Sequence, residues 1–267
     1  MNEKRRRPAN FKSPANNPKP VEEIEGQLEG RNALQEALRS GRTIDKVFIA
    51  SGETDRGLQR LAAEAKEAGA VVVPVDRRKL DAMSTTHAHQ GVITLAAAHA
   101  YYSIDDILEE AASRGQTPLI VICDELSDPH NLGAIMRSAE CAGAHGVIIP
   151  KRRSVGLTAT VAKASAGAVE YMKVARVTNI NSAIAELKEK GVWIFGTAAE
   201  GSIPMYKADL TGPTAIVIGN EGDGMSPLVR KNCDVTVHIP MQGRISSLNA
   251  SAAASILLYE AVRQRLG

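Results

Sequence analysis

Three polar, glycine-punctuated bends stand out as places where this chain could do chemistry. Gly219-Asn220-Glu221-Gly222-Asp223-Gly224-Met225 follows directly on the apolar run at 214–218. Ile239-Pro240-Met241 and Ser246-Ser247-Leu248-Asn249 lie a short distance downstream. The third bend, from Asp124 to Gly133, follows the apolar run at 119–123 and leads into a helical pattern carrying Arg137. Ligands of open α/β sheets sit beyond the carboxyl ends of strands, where loops leave backbone amides and carbonyls free. Glycine there permits positive φ and lets a ligand lie against bare backbone. Glu221 and Asp223 would repel a phosphate, so a neutral or cationic ligand suits the first bend better than a nucleotide phosphate. The order GxxGxG, late in the chain, is also not the GxGxxG of a dinucleotide turn, and Walker, GxSxG and HExxH sequences are absent.

For these bends to meet, the segments before them must be neighbouring strands. Residues 28–98 alternate between a helix over 31–40, a strand over 46–50, a helix over 57–68 and strands over 71–75 and 91–96, a small α/β unit. Residues 99–116, with a short amphipathic helix over 104–112, form the joint. Beyond it come strands over 119–123, 146–149, 173–177, 192–196, 214–218 and 235–239, with helices over 133–142, 158–167 and 183–189. Unbroken apolar strands of this kind predict a mainly parallel sheet covered by helices on both faces. The last helix, 247–265, begins with small side chains and places Leu248, Ala252, Ile256 and Tyr259 on one face, widened by Leu257, Ala261 and Val262. That is more apolar surface than a solvent-facing helix displays, and burial against the sheet or against a second subunit would account for it.

The gross composition sets the frame. A chain of 267 residues with 44% hydrophobic and 23% charged residues is ordinary for a globular protein of one or two domains, and two are expected. No run approaches the roughly 20 apolar residues of a membrane span, which makes the cytoplasm the default address. The net charge of +2 is too mild to identify a nucleic-acid partner by itself. Basic residues do cluster locally, at Lys4-Arg5-Arg6-Arg7 and at Lys151-Arg152-Arg153 directly after a strand. Residues 1–25 lack apolar periodicity and are expected to form a disordered basic arm. Cys123, Cys141 and Cys233 are odd in number and free of CxxC pairs, so they read as buried small hydrophobes. The histidines, His87 and His89 included, have no carboxylate or thiol pattern beside them, and no metal site is expected.

Taken in order, Asn131-Leu132-Gly133 to Arg137-Ser138-Ala139, Ile218 to Met225, and Ile239-Pro240-Met241 to Ser247-Leu248-Asn249-Ala250-Ser251 resemble the three motifs of SpoU/TrmH RNA ribose 2′-O-methyltransferases. Residue 250 is Ala where the family usually has Val, which leaves the polar positions intact. Gly30-Arg31-Asn32-Ala33-Leu34 and the unit that follows resemble the ribosomal-protein-like RNA-binding domain of the subgroup that modifies a guanosine of large-subunit ribosomal RNA. The pattern divides the chain into an arm at 1–25, a unit at 26–98, a linker at 99–116 and a unit at 117–267; the resemblance makes the first unit an RNA-binding domain and the second a catalytic domain whose C-terminal part is tied in a trefoil knot. It implies S-adenosylmethionine as methyl donor, a homodimer joined through the catalytic domains, and RNA as partner, with no DNA and no membrane.

By the same resemblance, Thr197, Gly219, Glu221, Ile239, Met241, Leu248 and Asn249 contact the cofactor, with Ala198 and Glu200 as a further wall. Arg137, Asn131, Glu221, Ser247 and Asn249 are the catalytic positions. A guanidinium is a poor proton acceptor, so Arg137 is assigned to the phosphate and the developing alkoxide. Asn131, Ser247 and Asn249 could equally serve as helix caps. Two further readings stay open: a transfer-RNA ribose methyltransferase, and an RNA-binding protein of the same fold without catalysis, against which the intact Arg137, Glu221 and Asn249 count.

Overall fold

A computed structural model describes residues 26–52, 55–97, 99–198 and 202–267. The expected arm at 1–25 and the candidate Glu200 lie outside the described residues. No described helix is long and apolar enough to cross a membrane.

The N-terminal unit runs β1 (Gln27–Glu29), α1 (Arg31–Arg39), β2 (Ile44–Ala50), α2 (Arg56–Glu67), β3 (Val71–Val75), α3 (Arg77–Met83) and β4 (Val92–Ala96). Its sheet has the order β1-β4-β2-β3, with β2 and β3 parallel and β4 antiparallel to both of its neighbours. Leu34, Val47, Leu58 and Val92 are buried on one side of it and Leu80 and Ile93 on the other. The sequence pattern passes over α3, a short helix capped by the side chain of Asp76.

Two polar hubs hold the loop before β4. Glu29 accepts from Ser84 Oγ at 2.6 Å and from the Thr85 amide at 2.7 Å, with Thr86 beside them. His89 is buried with Nε2 2.9 Å from Asp81 Oδ1. Local sequence shows no carboxylate near His89; the fold supplies one from α3.

The larger unit continues with α4 (Ile104–Ser113), β5 (Leu119–Cys123), α5 (Pro129–Cys141), β6 (Gly146–Pro150), α6 (Ala159–Ala164), β7 (Lys173–Val177), α7 (Ile180–Glu189), β8 (Trp193–Thr197), β9 (Ile203–Pro204), β10 (Thr214–Ile218), α8 (Pro227–Asn232), β11 (Val235–His238) and α9 (Ala250–Arg265). All its strand pairs are parallel, in the order β7-β6-β5-β10-β8-β11-β9. Every residue of β5, β6 and β10 is buried, the signature of strands covered on both faces. Helices α5, α6 and α9 cover one face through Leu132, Ile135, Val161 and Leu257. Helices α4, α7 and α8 cover the other through Ile107, Ile184, Leu187 and Val229.

Residues 99–116, expected as the joint, are packed against this sheet. Ile104 and Ile107 of α4 join the core with Ile120 and Ile148, and the Tyr102 amide donates to Val174 O at 2.8 Å. Helix α9 buries Ala250, Ala254, Leu257, Leu258 and Ala261, so the sheet side absorbs part of its apolar excess. Leu248 and Tyr259 remain 41% and 52% exposed. Of the cysteines read as buried, Cys123 is buried and Cys233 half-buried, but Cys141 is exposed because it ends α5 on its outer face.

Candidate functional site

Because the sheet is parallel, the bends after β5, β10 and β11 and the end of β8 all open at one edge of it. Between the bends after β10 and β11 and the end of β8 lies an open cleft of about 710 Å³, which no residue of the bend after β5 lines. Of the candidate cofactor residues, Thr197, Gly219, Glu221, Ile239, Met241 and Leu248 line it, as do Ser247 and Ala198. Apolar walls beside the carboxylates of Glu221 and Asp223 suit a ligand with an uncharged body and a cationic centre, although Arg230 and His238 also line the cleft.

The bend at 219–225 closes on itself: Asn220 and Gly224 exchange backbone hydrogen bonds at 3.0 Å in each direction. A Cβ at Gly219 would fall inside contact distance of Gly224 C and Met225 N. Gly224 has φ +70° and supplies the left-handed residue. Gly222 needs neither freedom: its φ is not positive, and a Cβ there would meet only Asn220 Oδ1, at 3.4 Å. The three glycines, expected to act alike, therefore divide between close approach at 219 and chirality at 224.

A polarised chain of side chains joins the three bends. Asn131 Nδ2 donates to Glu221 Oε1 at 2.7 Å, and Asn249 Nδ2 donates to Asn131 Oδ1 at 2.9 Å. Asn249 Oδ1 in turn accepts from the Ser251 and Ala252 amides at 2.9 and 3.3 Å, capping α9. An ionised carboxylate can only accept, so Glu221 fixes the orientation of both amides. The helix N-terminus, with its free N–H groups, fixes the same orientation from the other end.

The expected caps are thus sorted. Asn249 both caps α9 and enters the chain. Asn131 does not cap α5; Asp128 does, by accepting from the His130 amide, and Asn131 sits buried inside the first turn. Ser247 caps nothing, because α9 begins at Ala250 and Ser247 lies on the exposed loop along the cleft wall.

Arg137 is the candidate that the protomer does not bring in. It lies six residues beyond Asn131, about 9 Å along α5 and roughly 120° around it. It is exposed and absent from the cleft lining. Arg137, assigned to the phosphate and the developing alkoxide, therefore does not line the cleft of its own chain.

Residues 118–259 match the SpoU rRNA Methylase family, and residues 27–102 match the family described as RNA 2′-O ribose methyltransferase substrate binding. The chain belongs to the SpoU methyltransferase family. It is 47% identical, over 88% of its length and 94% of the relative's, to a Bacillus subtilis protein named putative TrmH family tRNA/rRNA methyltransferase YacO. Among solved structures it is similar to an AdoMet-bound rRNA methyltransferase from Sinorhizobium meliloti (26% identity, TM-score 0.58, covering 90% of this chain and 88% of that one). It is similar also to the A. aeolicus TrmH/SpoU tRNA modifying enzyme (30% identity, TM-score 0.52), which covers 60% of this chain and 85% of that one.

Within this SpoU-family site, sequence reasoning passed over two organising residues. Asn220 donates from Nδ2 to Glu125 O at 3.0 Å and accepts the Gly222 amide at 2.7 Å, tying the first bend to the third. Asp124 is buried and accepts the Ser226 amide at 2.7 Å, anchoring the start of α8. Both stand inside the quoted bends, but only the folded pairing of β5 with β10 brings Glu125 to Asn220 and Ser226 to Asp124. Cys123 and Cys233 are poorly suited as nucleophiles: burial pushes the Cys123 thiol up to about 12 and that of Cys233 up to about 11. Among the described residues, no group of three His, Cys, Asp or Glu side chains is placed to hold a metal ion.

Proposed function

We propose that this chain transfers a methyl group from S-adenosylmethionine to a ribose 2′-hydroxyl, that of a guanosine in large-subunit (23S) ribosomal RNA, in the cytoplasm. The observation that carries the reading is the side-chain chain from α9 through Asn131 to Glu221 at the mouth of a cleft with apolar walls and acidic edges. A cationic sulfonium with a neutral adenosine fits that cleft, held through the backbone at Gly219, Ile239 and Leu248. When bound, the cofactor would supply an electrophilic methyl group.

The chain's own residues align and deprotonate the hydroxyl. Glu221, tied through one oxygen to Asn131, keeps the other to receive the hydroxyl proton directly or through water. Ser247 and Asn249 position the sugar, and Arg137 holds the phosphate and stabilises the developing alkoxide. The methyl carbon would pass to the hydroxyl oxygen, with the carbon–sulfur electron pair left on sulfur.

Arg137 lies outside the cleft of its own protomer, and the outer side of α5 adjoins α9 through Ser138 Oγ and Ser255 Oγ, 2.7 Å apart. Leu248, Ile256 and Tyr259 stand on that side only partly covered. A homodimer through this face covers them and brings a second Arg137 to the site. The reading includes the trefoil-knotted path, supported by the passage from β11, on the β8 side of β10, over the cleft to α9, which packs on α5.

Ribosomal over transfer RNA is favoured by coverage: the neighbour titled an rRNA methyltransferase matches 90% of the chain, whereas the tRNA-modifying enzyme matches 60%. Lys151-Arg152-Arg153 follows β6 at the cleft end of the sheet, a cationic rim suited to phosphates. The test is S-adenosylmethionine titration by calorimetry together with 2′-O-methyl mapping of ribosomal and transfer RNA from cells lacking the protein. Loss of one ribosomal mark is expected; loss of a transfer-RNA mark alone would overturn the substrate, and no cofactor binding would leave the RNA-binding reading.

A further inference from the structure

Among the described residues, a cluster of charges buried between the two units stands outside the site. Arg176 of β7 places Nη1 2.7 Å from Asp45 Oδ1 of β2, with side-chain exposures of 5% and 6%. Its Nη2 donates to Asp45 O at 3.0 Å and to Lys151 O at 3.4 Å. Tyr101 donates its hydroxyl to Asp45 Oδ1 at 2.8 Å and accepts the Leu157 amide at 2.8 Å. The guanidinium lies 5.3 Å from the centre of the Tyr101 ring. Gly156 closes the cluster, since a Cβ there would overlap the Asp45 carboxylate.

Burying two charges costs several kcal/mol per ion before their attraction and hydrogen bonds offset it, so such a pair adds little net stability over apolar packing. What it adds is geometry: the partners match in one arrangement only, and any sliding of the two units strands a dehydrated charge. Burial pushes the Asp45 carboxyl above its usual range, against the pull of Arg176.

The cluster is also connected to the cleft. Lys46 Nζ reaches Ser154 O at 3.4 Å. Ser154 Oγ and the Val155 amide hold Leu126 O at 2.9 and 3.0 Å. The neighbouring Glu125 O accepts Asn220 Nδ2, the residue that shapes the bend carrying Glu221. One run of contacts therefore leads from β2 of the N-terminal unit to the carboxylate at the reaction site.

We propose that Asp45, Arg176 and Tyr101 form a fixed joint that sets the distance from the RNA-holding unit to the methyl-donor cleft, and so select which ribose of the bound RNA is methylated. These are positioning residues, and the inference rests on the function proposed above.

The experiment uses the full chain, S-adenosylmethionine and a ribosomal RNA fragment carrying the wild-type mark. Arg176→Met is expected to leave cofactor and RNA affinities near wild type, to lower kcat by about 100-fold, the cost of roughly 1 Å of misplacement, and to spread methyl marks over neighbouring nucleotides. Its radius of gyration by small-angle scattering should rise as the units part. Tyr101→Phe, which removes both hydroxyl contacts but keeps the ring, should shift mark positions in the same sense to a smaller degree, and it decides the matter should Arg176→Met not fold. Wild-type selectivity in a Tyr101→Phe protein, or in an Arg176→Met protein whose units have separated, overturns the proposal, as does a fall in cofactor affinity parallel to kcat. If the wild-type chain methylates no RNA ribose, the proposed function fails instead, and scattering alone tests the joint.

Discussion

Asn131 Nδ2 lies 2.7 Å from Glu221 Oε1, although Asn131 stands in the first turn of α5, after β5, and Glu221 on the bend after β10. Asn249 satisfies Asn131 Oδ1 from the other side, which fixes the amide with its Nδ2 toward Glu221. Asn131→Ala removes the middle of that chain and leaves a carboxylate and an amide without their partner. Turnover should fall by about 100-fold, the usual cost of one preorganised polar contact at a reacting centre. Cofactor affinity should change far less. Single-turnover methylation beside calorimetry checks this; an equal fall in both would make Asn131 a binding residue.

Arg137→Ala should abolish turnover while leaving cofactor affinity within a few-fold, because Arg137 does not line the cleft of its own protomer. Mixing Arg137→Ala with Glu221→Gln protomers should restore part of the activity, since a mixed dimer retains one site with both residues intact when Arg137 serves the partner's cleft. No restoration in a dimer shown to exchange subunits would place Arg137 in its own protomer's site.

Gly219→Ala should weaken S-adenosylmethionine binding by at least about tenfold, roughly 1.4 kcal/mol. Its Cβ collides with the backbone of Gly224 and Met225 and must open the Asn220 and Gly224 bridge. Gly222→Ala meets only Asn220 Oδ1 and should bind within a few-fold of wild type. Equal affinities for the two variants would remove this bend from the cofactor site.

Acid should loosen the N-terminal unit through Glu29. Partial burial alone would raise its pKa, but hydrogen bonds from Ser84, Thr86, Thr85 and Gln27 outweigh that and hold the carboxyl far below its ordinary value of 4.5. A depressed folded value means that the stabilisation is present above pH 4.5 and is lost as pH falls from there toward the folded value. Glu29→Gln should lower stability by about 2 kcal/mol at neutral pH, as expected for hydrogen bonds to a charged group, and by progressively less below pH 4.5. Thermal unfolding of both proteins across that range provides the comparison.

The strands of the large sheet were legible because continuous apolar runs such as Leu119 to Cys123 and Thr214 to Ile218 need no partner to be recognised, and their bends announce themselves by glycine and polarity. Short elements fixed by tertiary contact were not: α3 and α8 are each about two turns or less, and β9 pairs only at Ile203 and Pro204. The same limit applies at the site. Glu221 and Asn249 could be singled out by type and motif, but their connection through Asn131, the work of Asn220, and the outward position of Arg137 depend on which strands lie side by side. Asp45 and Arg176 are invisible in sequence, since an isolated Asp in one strand and an Arg in another look like solvent-facing alternation until two units bury them together.

The sheet order carries a consequence for the chain as it is made. The central strand β10 pairs with β5 and β8, so the middle of the sheet is filled only after its flanks have left the ribosome. The cleft draws walls from Thr197 through Leu257, and no donor can be held until Leu257 has been made. Pairing so distant in sequence is slow, which leaves the half-made edges of β5 and β8 exposed meanwhile and makes nascent chains truncated before β10 the species most prone to aggregate.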